Sequence, residues 1–498
     1  MRKKKESLTN KTLNGFIWSG AGSGINGLIQ VIILAVLARL INVESFGIVQ
    51  AAMILVGFAN YISQMGVGPA LVQRKDLTGN HIRVGFTISI ALGLFLGGAL
   101  FLLSNTFASF FQITELSKVL KVISLLFIFE SFVVISSSLM QRDMRFKEIA
   151  LIEIISYFFG YGFAGIVFGY MGYDYWALVI AIFAQVIIKI ICYFILQKHS
   201  LRLLWKKQEF KELIHYGGGH TLARVANYFA NQGDNLVVGK YMGAQALGFY
   251  GRAYTLMVKP YSLITDALDR ALFPAMSTVQ DDKERLLVNF KKITQLLGMI
   301  CIPLSFVFLV LGEPIVMLLL GKNWVEVTAP LQILGLTIVL RINSRVSDVL
   351  VRAVGDVYSR AWRKLIFAII TIVSCIIGQK WGLEGVSYGV VFANLINFAL
   401  MATLTFKIIN INWWEYIKLY NKSLPLAIIF GTFLYGWKVV FKYITSIDIL
   451  ILTGSLVLSV TFTILVLLKY KSFFLKDVKE HITLLLKKFR LGSLIKFL

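Results

Sequence analysis

The sequence predicts an all-α, polytopic membrane protein with about fourteen transmembrane helices. These form two pseudo-symmetric six-helix lobes around a central cavity, followed by two C-terminal helices. Of the 498 residues, 57% are hydrophobic, and the mean hydropathy of +0.75 is far from that of a soluble globular protein. Runs such as 85–103 and 119–139 hold roughly 20 mostly apolar residues, enough to cross a ~30 Å hydrocarbon core as a helix.

The predicted helices follow the apolar runs in chain order. They span residues 14–38, 46–66, 84–105, 119–140, 149–170, 174–197, 213–232, 244–266, 293–320, 330–352, 363–381, 384–409, 425–445 and 448–469. The predicted organisation is a basic cytoplasmic tail (1–13), a first lobe (14–197), a basic cytoplasmic connector (198–212), a second lobe (213–409), two additional helices (425–469) and a basic amphipathic cytoplasmic tail (470–498).

The basic residues are unevenly distributed between the connectors. The chain carries 50 Lys and Arg against 26 Asp and Glu, a formal charge of +24. Most of the surplus falls in alternate connectors, the pattern that the positive-inside rule produces. This predicts a multi-pass protein of the cell (inner) membrane with both termini in the cytoplasm, and it argues against a nucleic-acid partner.

An internal repeat of about 200 residues is visible. Segment 40–47, Leu-Ile-Asn-Val-Glu-Ser-Phe-Gly, resembles 241–248, Tyr-Met-Gly-Ala-Gln-Ala-Leu-Gly, and Pro-Ala pairs follow both. The copies lie six predicted spans apart and so keep the same orientation, an arrangement that places a site between two lobes. Chance similarity of glycine-rich connectors is the alternative.

Polar residues recur at helical spacing within four predicted spans, which places them on one face of each helix. The candidate cavity residues are Asn26, Gln30, His220, Arg224, Asn227, Asn231, Arg252, Lys259, Arg341 and Arg345. Three carboxylates on the same faces are candidates for ion coupling: Asp234, Asp266 and Asp348.

Structural roles compete with binding roles for these residues. Asn and Gln side chains hydrogen-bond neighbouring membrane helices, and Asp348 stands at i+3 from Arg345 and i−4 from Arg352, which allows ion pairs. Too few acidic residues stand at helical spacing to neutralise four further cations: Arg224, Arg252, Lys259 and Arg341. A surplus of positive charge in a cavity suits an anionic substrate, and arginine suits bidentate phosphate contact.

Motifs of soluble catalysis are missing from the sequence. We find no P-loop, no His-Glu-x-x-His and no nucleophile elbow. The three cysteines, Cys192, Cys301 and Cys375, lie in apolar runs without metal-ligand or disulfide spacing. We therefore expect neither an enzyme nor a bound cofactor or metal.

Five segments resemble the polysaccharide-export flippases of the multidrug/oligosaccharidyl-lipid/polysaccharide (MOP) superfamily, in the branch that handles teichuronic acid, colanic acid and O-antigen units. They are Leu-Ala-Arg-Leu at 37–40, Met-Gln-Arg-Asp-Met-Arg-Phe at 140–146, Asp-Asn-Leu-Val-Val-Gly at 234–239, Leu-Gly-Phe-Tyr-Gly-Arg-Ala-Tyr at 247–254 and Leu-Phe-Pro-Ala-Met-Ser at 272–277. The resemblance covers residues 10 to 410, and the 247–254 block is its most specific part.

The resemblance implies a flippase that moves an undecaprenyl-diphosphate-linked oligosaccharide from the cytoplasmic to the outer leaflet by alternating access, coupled to an ion gradient or membrane potential. It implies a polysaccharide polymerase and glycosyltransferases as partners. The alternatives are a multidrug or metabolite antiporter of the same superfamily, a peptidoglycan lipid-precursor flippase, and a non-transporting scaffold.

Overall fold

A computed structural model describes residues 8–63, 67–217, 221–445 and 447–469. All regular secondary structure in these ranges is helical. In the first half the α-helices are α1 (Leu8–Leu40), α2 (Val43–Ser63), α3 (Val67–Gln73), α4 (Gly79–Leu102), α5 (Ser104–Phe111), α6 (Thr114–Ile123), α7 (Leu126–Arg142), α8 (Phe146–Ile155), α9 (Gly165–Tyr170) and α10 (Asp174–Leu196).

The second half continues with α11 (Lys207–Gly217), α12 (Thr221–Ser277), α13 (Lys283–Leu319), α14 (Thr328–Gly335), α15 (Thr337–Val354), α16 (Val357–Gly378), α17 (Gly382–Ile409), α18 (Trp413–Lys418), α19 (Ser423–Ile444) and α20 (Asp448–Lys469). A π-helical segment, Ser156–Ala164, joins α8 to α9, and 3₁₀ turns at Lys322–Val327 and Gln379–Trp381 precede α14 and α17.

Local sequence explains where several helices begin and end. The Asn42 side chain accepts a hydrogen bond from the backbone N–H of Ser45 at 2.8 Å, the capping arrangement that starts a helix. Gly355 ends α15 with φ 87°, a left-handed conformation that costs glycine little. Inside α12, Gly243 takes φ 81° and ψ −174°, and this residue breaks the helix between predicted spans seven and eight.

The all-α, polytopic class is confirmed. Ten stretches of the described residues are long and apolar enough to cross a membrane, and the bent pair Lys322–Gly335 and Thr337–Val354 makes eleven. One stretch, Tyr358–Ile409, contains both predicted spans eleven and twelve, and the polar α12 occupies the place of spans seven and eight. The count of fourteen stays a prediction.

Predicted span seven, residues 213–232, falls partly outside the described residues. The described part comprises the end of α11, which runs to Gly217, and the start of α12 at Thr221. Leu213, on α11, packs into the apolar core around Leu71 and Val84. The bounds of this span stay a prediction.

The chain packs as two compact units. Unit 1 comprises Met1–Arg252, Leu319–Trp324 and Thr371–Val386, and unit 2 comprises Ala253–Leu318, Val325–Ile370 and Ser387–Leu498. Each has its own buried core, such as Val67, Leu71 and Val84 in unit 1 and Leu311, Phe430 and Leu434 in unit 2. The two lobes inferred from the repeat, with their boundary at 198–212, remain a proposal.

Candidate functional site

A cavity of ≈ 260 Å³ with a mixed polar and apolar lining lies inside unit 1. Helices α2, α7, α10 and α12 and the π-helical segment contribute its walls. Apolar side chains make up the rest of the lining, and the polar residues are Gln50, Glu130, Tyr161, Gln185, Lys189 and Arg252. We call this cavity the unit 1 pocket. Because it combines charged groups with amide and phenol groups, it can hydrogen-bond a highly polar ligand.

The π-helical segment shapes one wall of the pocket. A Cβ at Gly160 would overlap the backbone of Gln185, so the missing side chain lets this segment approach α10 closely. Tyr157 and Tyr161 stack with ring centroids 4.9 Å apart, and Tyr161 reaches the lining. Segments of this kind are frequent at functional sites, and here the wide turn sets the position of a hydrogen-bonding phenol.

Arg252 is a cation of the pocket that makes no salt bridge among the described residues. One guanidinium N–H donates to Gln50 Oε1 at 3.2 Å, and the group lies 4.9 Å from the centre of the Phe46 ring. Its Nε is buried without a hydrogen-bond partner. In the part of the chain that the structure describes, no carboxylate oxygen lies within 4.0 Å of the guanidinium. A cation held this way retains donors and charge for an anionic ligand.

Two charged residues of this pocket were missed by the sequence analysis. Lys189 pairs with Glu153 at 2.7 Å, and Glu130 is part of the lining. Both Glu130 and Lys189 interrupt strongly apolar runs. A charge inside a membrane span is by default a functional candidate, so this signal was available in the sequence.

Unit 2 contains a second charged group, which we call the arginine cluster: Asp269, Arg345, Asp348, Arg352 and Arg360. Asp348 is 0% exposed and contacts Arg345 at 3.6 Å, Arg352 at 3.2 Å and Arg360 at 2.6 Å. Asp269 pairs with Arg345 and, at 3.0 Å, with Arg352. These ion pairs join α12, α15 and α16.

The arginine cluster bears on two sequence-based expectations. The pairs at i+3 and i+4 around Asp348 are confirmed, and three guanidinium groups surround this carboxylate. Its role in ion coupling stays a prediction, but the contacts favour a structural role. Asp269 and Arg360 were missed because each lies on a different helix from α15, where no spacing rule applies.

Two further candidates of unit 2 lie near aromatic or hydroxyl groups. Arg341 donates to Thr337 Oγ1 at 3.2 Å, and its guanidinium lies 5.5 Å from the centre of the Tyr254 ring. The Lys259 carbonyl accepts a hydrogen bond from the Ser262 hydroxyl at 2.8 Å. Asp266, the third ion-coupling candidate, is exposed.

The polar face of α1 lies apart from the lining of the unit 1 pocket. Asn26 and Gln30 are half-buried, and the Asn26 Oδ1 is buried without a hydrogen-bond partner. Neither residue is part of the lining. His220 lies outside the described residues, and so does the side chain of Arg224. Their roles stay predictions.

The remaining candidate residues of α12 make hydrogen bonds to other residues of α12. The Asn231 amide donates to the Asn227 carbonyl at 2.7 Å. Asp234 is buried, accepts a hydrogen bond from the Tyr250 hydroxyl at 2.9 Å, and caps the backbone N–H of Asn235 at 2.8 Å. None of these residues lines the unit 1 pocket. Within the described residues, no group of three or more His, Cys, Asp or Glu could hold a metal ion.

Apolar spans around half-buried cationic groups are typical of a polytopic transporter rather than an enzyme. A family model described as "Polysaccharide biosynthesis protein" matches residues 36–329, more than half of the chain. The chain therefore belongs to this family, a result that confirms the polysaccharide-export resemblance.

Relatives and solved structures agree with this family. The chain is 25% identical to "Lipopolysaccharide biosynthesis protein WzxC" of Escherichia coli (strain K12), over 79% of this chain and 80% of that protein. It is 22% identical to "Teichuronic acid biosynthesis protein TuaB" of Bacillus subtilis (strain 168), over 86% and 89%. The fold is similar to that of "Lipid II flippase MurJ, inward closed conformation", with TM-score 0.73, 15% identity and coverage of 93% and 99%.

Proposed function

We propose that this protein is a flippase that moves an undecaprenyl-diphosphate-linked oligosaccharide from the cytoplasmic to the outer leaflet for surface polysaccharide biosynthesis. The observation that carries this is the unit 1 pocket, where Arg252 stands with Gln50 and Tyr161 and makes no salt bridge within 4.0 Å among the described residues. A diphosphate needs cations to replace its hydration in a low-dielectric region, and sugar hydroxyls need amide and phenol partners. The membership in a polysaccharide biosynthesis family supports the same substrate.

An antiporter of organic cations is the less favoured alternative. Such a site needs a surplus of carboxylates, whereas the unit 1 pocket has one carboxylate, Glu130, against Arg252 and Lys189. A peptidoglycan lipid-precursor flippase would bind the same diphosphate chemistry, and the similarity to MurJ at 15% identity concerns the fold. The family match favours surface polysaccharide. A polymerase and glycosyltransferases are the proposed partners, because the oligosaccharide has to be built before it is moved and extended afterwards.

The function is tested in a deletion strain with a leaflet-specific probe for the lipid-linked oligosaccharide. We expect the lipid-linked unit to accumulate in the inner leaflet and surface polymer to be lost, because the pocket would no longer carry the diphosphate across. Complementation with the wild-type chain is the control. Normal outer-leaflet amounts and intact surface polymer, with related flippases deleted as well, would contradict the proposal.

The basic connectors predict that both termini lie in the cytoplasm. Asn105, Tyr173 and Gln208 are exposed, so single cysteines there report the topology. We expect an impermeant maleimide to label the first two from outside, and to label Gln208→Cys only after the membrane is permeabilised. External labelling of Gln208→Cys in intact cells would show that the orientation is wrong.

A further inference from the structure

The two repeated segments pack directly against each other inside unit 1. A Cβ at Gly47 would overlap the Ala244 carbonyl, whose carbon lies 2.5 Å from the Cβ position. A Cβ at Gly248 would overlap the Val43 carbonyl in the same way. Gly47 aligns with Gly248 in the repeat, and Val43 aligns with Ala244, so the contact is reciprocal. We call this contact of 43–47 with 244–248 the repeat seam.

A second pair of contacts follows the same symmetry. Trp324 Nε1 donates to the Ala38 carbonyl at 2.7 Å, and a Cβ at Gly239 would stand 2.9 Å from the Phe111 ring. Ala38 aligns with Gly239, and Trp324 and Phe111 each follow the third predicted span of their repeat. In both copies an aromatic residue beyond the third predicted span thus packs at the aligned position, Ala38 or Gly239, and all of these residues stand at predicted outer ends of spans.

The repeat seam and the unit 1 pocket share residues. Arg252 belongs to the second repeat, but the groups that hold its guanidinium, Gln50 and Phe46, belong to the first. The Cβ position of Gly251 lies 3.2 Å from Gln50 Cγ, and the Phe46 ring packs on Trp324 with centroids 5.3 Å apart. Separation of the seam would therefore take both partners away from Arg252.

We propose that closure of the repeat seam positions Arg252, so that the pocket binds its anion only while the two copies are joined. Gln50 and Phe46 are then positioning residues, and opening of the seam lowers the affinity for the anion and releases it towards the predicted outer side. This inference rests on the proposed function and adds that release of the anion is coupled to opening of the repeat seam. The coupling arises because Arg252 contacts Gln50 and Phe46 in the closed state and loses both partners in the open state.

Gly248→Ala tests this coupling without touching the lining of the pocket. Its Cβ meets backbone, so a change of rotamer cannot relieve the overlap. The background has Cys192, Cys301 and Cys375 changed to alanine. In this background Ser45→Cys reports on the seam, because Ser45 is 2% exposed, and Gln185→Cys reports on the pocket, which Gln185 lines. We expect both to react about tenfold faster with an impermeant maleimide in right-side-out vesicles, and we expect binding of undecaprenyl diphosphate by the full chain in nanodiscs to weaken about tenfold.

The chain offers two controls for this experiment. Gly47→Ala stands at the equivalent position and should reproduce the effects of Gly248→Ala. Gly98→Ala should change neither labelling nor binding, because its Cβ would meet nothing within 4 Å. The proposal is overturned if Gly248→Ala inserts normally and leaves both cysteines unreactive, or if Ser45→Cys becomes reactive while Gln185→Cys and binding stay as in the wild type.

A disulfide across the seam gives a second test, which holds even if the alanine variants fail to insert. The Gly251 Cβ position lies 3.2 Å from Gln50 Cγ, so we expect Gln50→Cys and Gly251→Cys to form a disulfide on oxidation. Because the double variant lacks Gln50, we expect it to export less than the wild type when reduced and to lose the remaining export when oxidised. Equal export in both states overturns the proposal. If the wild type binds no undecaprenyl diphosphate, the proposed substrate is wrong, and the labelling rates, which need no ligand, still decide the coupling.

Discussion

The unit 1 pocket and the arginine cluster of unit 2 both hold arginines on helices, but these arginines differ in the groups that they contact. In the arginine cluster, Arg345 and Arg352 each contact two carboxylates. In the pocket, Arg252 has an amide acceptor and an aromatic ring within reach. Paired charges stabilise packing between helices, whereas an arginine without a carboxylate within salt-bridge distance can bind a ligand anion. Spacing in the sequence identifies the cations on these helices, and the groups that they contact in the fold decide their role.

Loss of Asp348 should give the largest effect, because three arginines would be left around a fully buried site. Breaking a buried ion pair from one side costs about 3–5 kcal/mol. We expect Asp348→Asn to lower the amount of folded protein and its thermal stability in detergent. Asp266→Asn is the matched control, since Asp266 is exposed. Equal stability of both variants would show that the arginine cluster is not structural.

Removal of the charge of Arg252 should affect transport with little effect on stability. We expect Arg252→Gln to lower apparent substrate affinity about tenfold to a hundredfold, as one charge-assisted hydrogen bond is worth ~1.5–3 kcal/mol. Arg252→Lys should recover part of the loss, because lysine keeps the charge without the forked donor geometry. Surface polysaccharide normalised to membrane protein measures both variants.

Arg345→Gln is the counterpart of Arg252→Gln in the arginine cluster. Since Arg345 pairs with Asp269 and Asp348, we expect this variant to lose thermal stability, and we expect Asp269→Asn to soften the loss in the double variant by removing one of the carboxylates. A stable Arg345→Gln variant that no longer exports polymer would reverse the roles assigned to the two regions.

The smallest expected effect concerns Glu212, a residue of α11 that lies outside the predicted spans. Glu212 accepts a hydrogen bond from His81 at 3.0 Å and pairs with Arg74 at 2.8 Å. The bond to His81, with Arg74 beside it, lowers the pKa of Glu212 from its usual 4.5. A lowered carboxyl pKa stabilises the fold above the usual value, and this contribution is lost as the pH falls through the lowered one. Glu212→Gln should reduce the loss of thermal stability below pH 4.5, whereas an unchanged pH profile would contradict this.

Periodicity and hydropathy were sufficient to predict the fold class and most spans, because each apolar run forms a helix whose backbone hydrogen bonds lie within the run itself. They also placed Arg252, Arg345 and Asp348 on helices, where the structure has them. Contacts between distant helices could not be predicted from spacing, which is why Asp269 and Arg360 were missed. Glu130 and Lys189 were missed for a different reason, since strong flanking hydropathy concealed single charges in good spans.

The most direct test of the central claim is translocation by the purified full-length protein in proteoliposomes that contain undecaprenyl-diphosphate-linked oligosaccharide. The measurement is the rate at which the oligosaccharide becomes accessible to an added glycosidase on the opposite face. We predict rapid translocation by the wild type and by Gly98→Ala, and a rate at least tenfold lower for Arg252→Gln reconstituted in equal amount. Equal rates for the wild type and Arg252→Gln, or no translocation above empty liposomes by the wild type, would contradict this account.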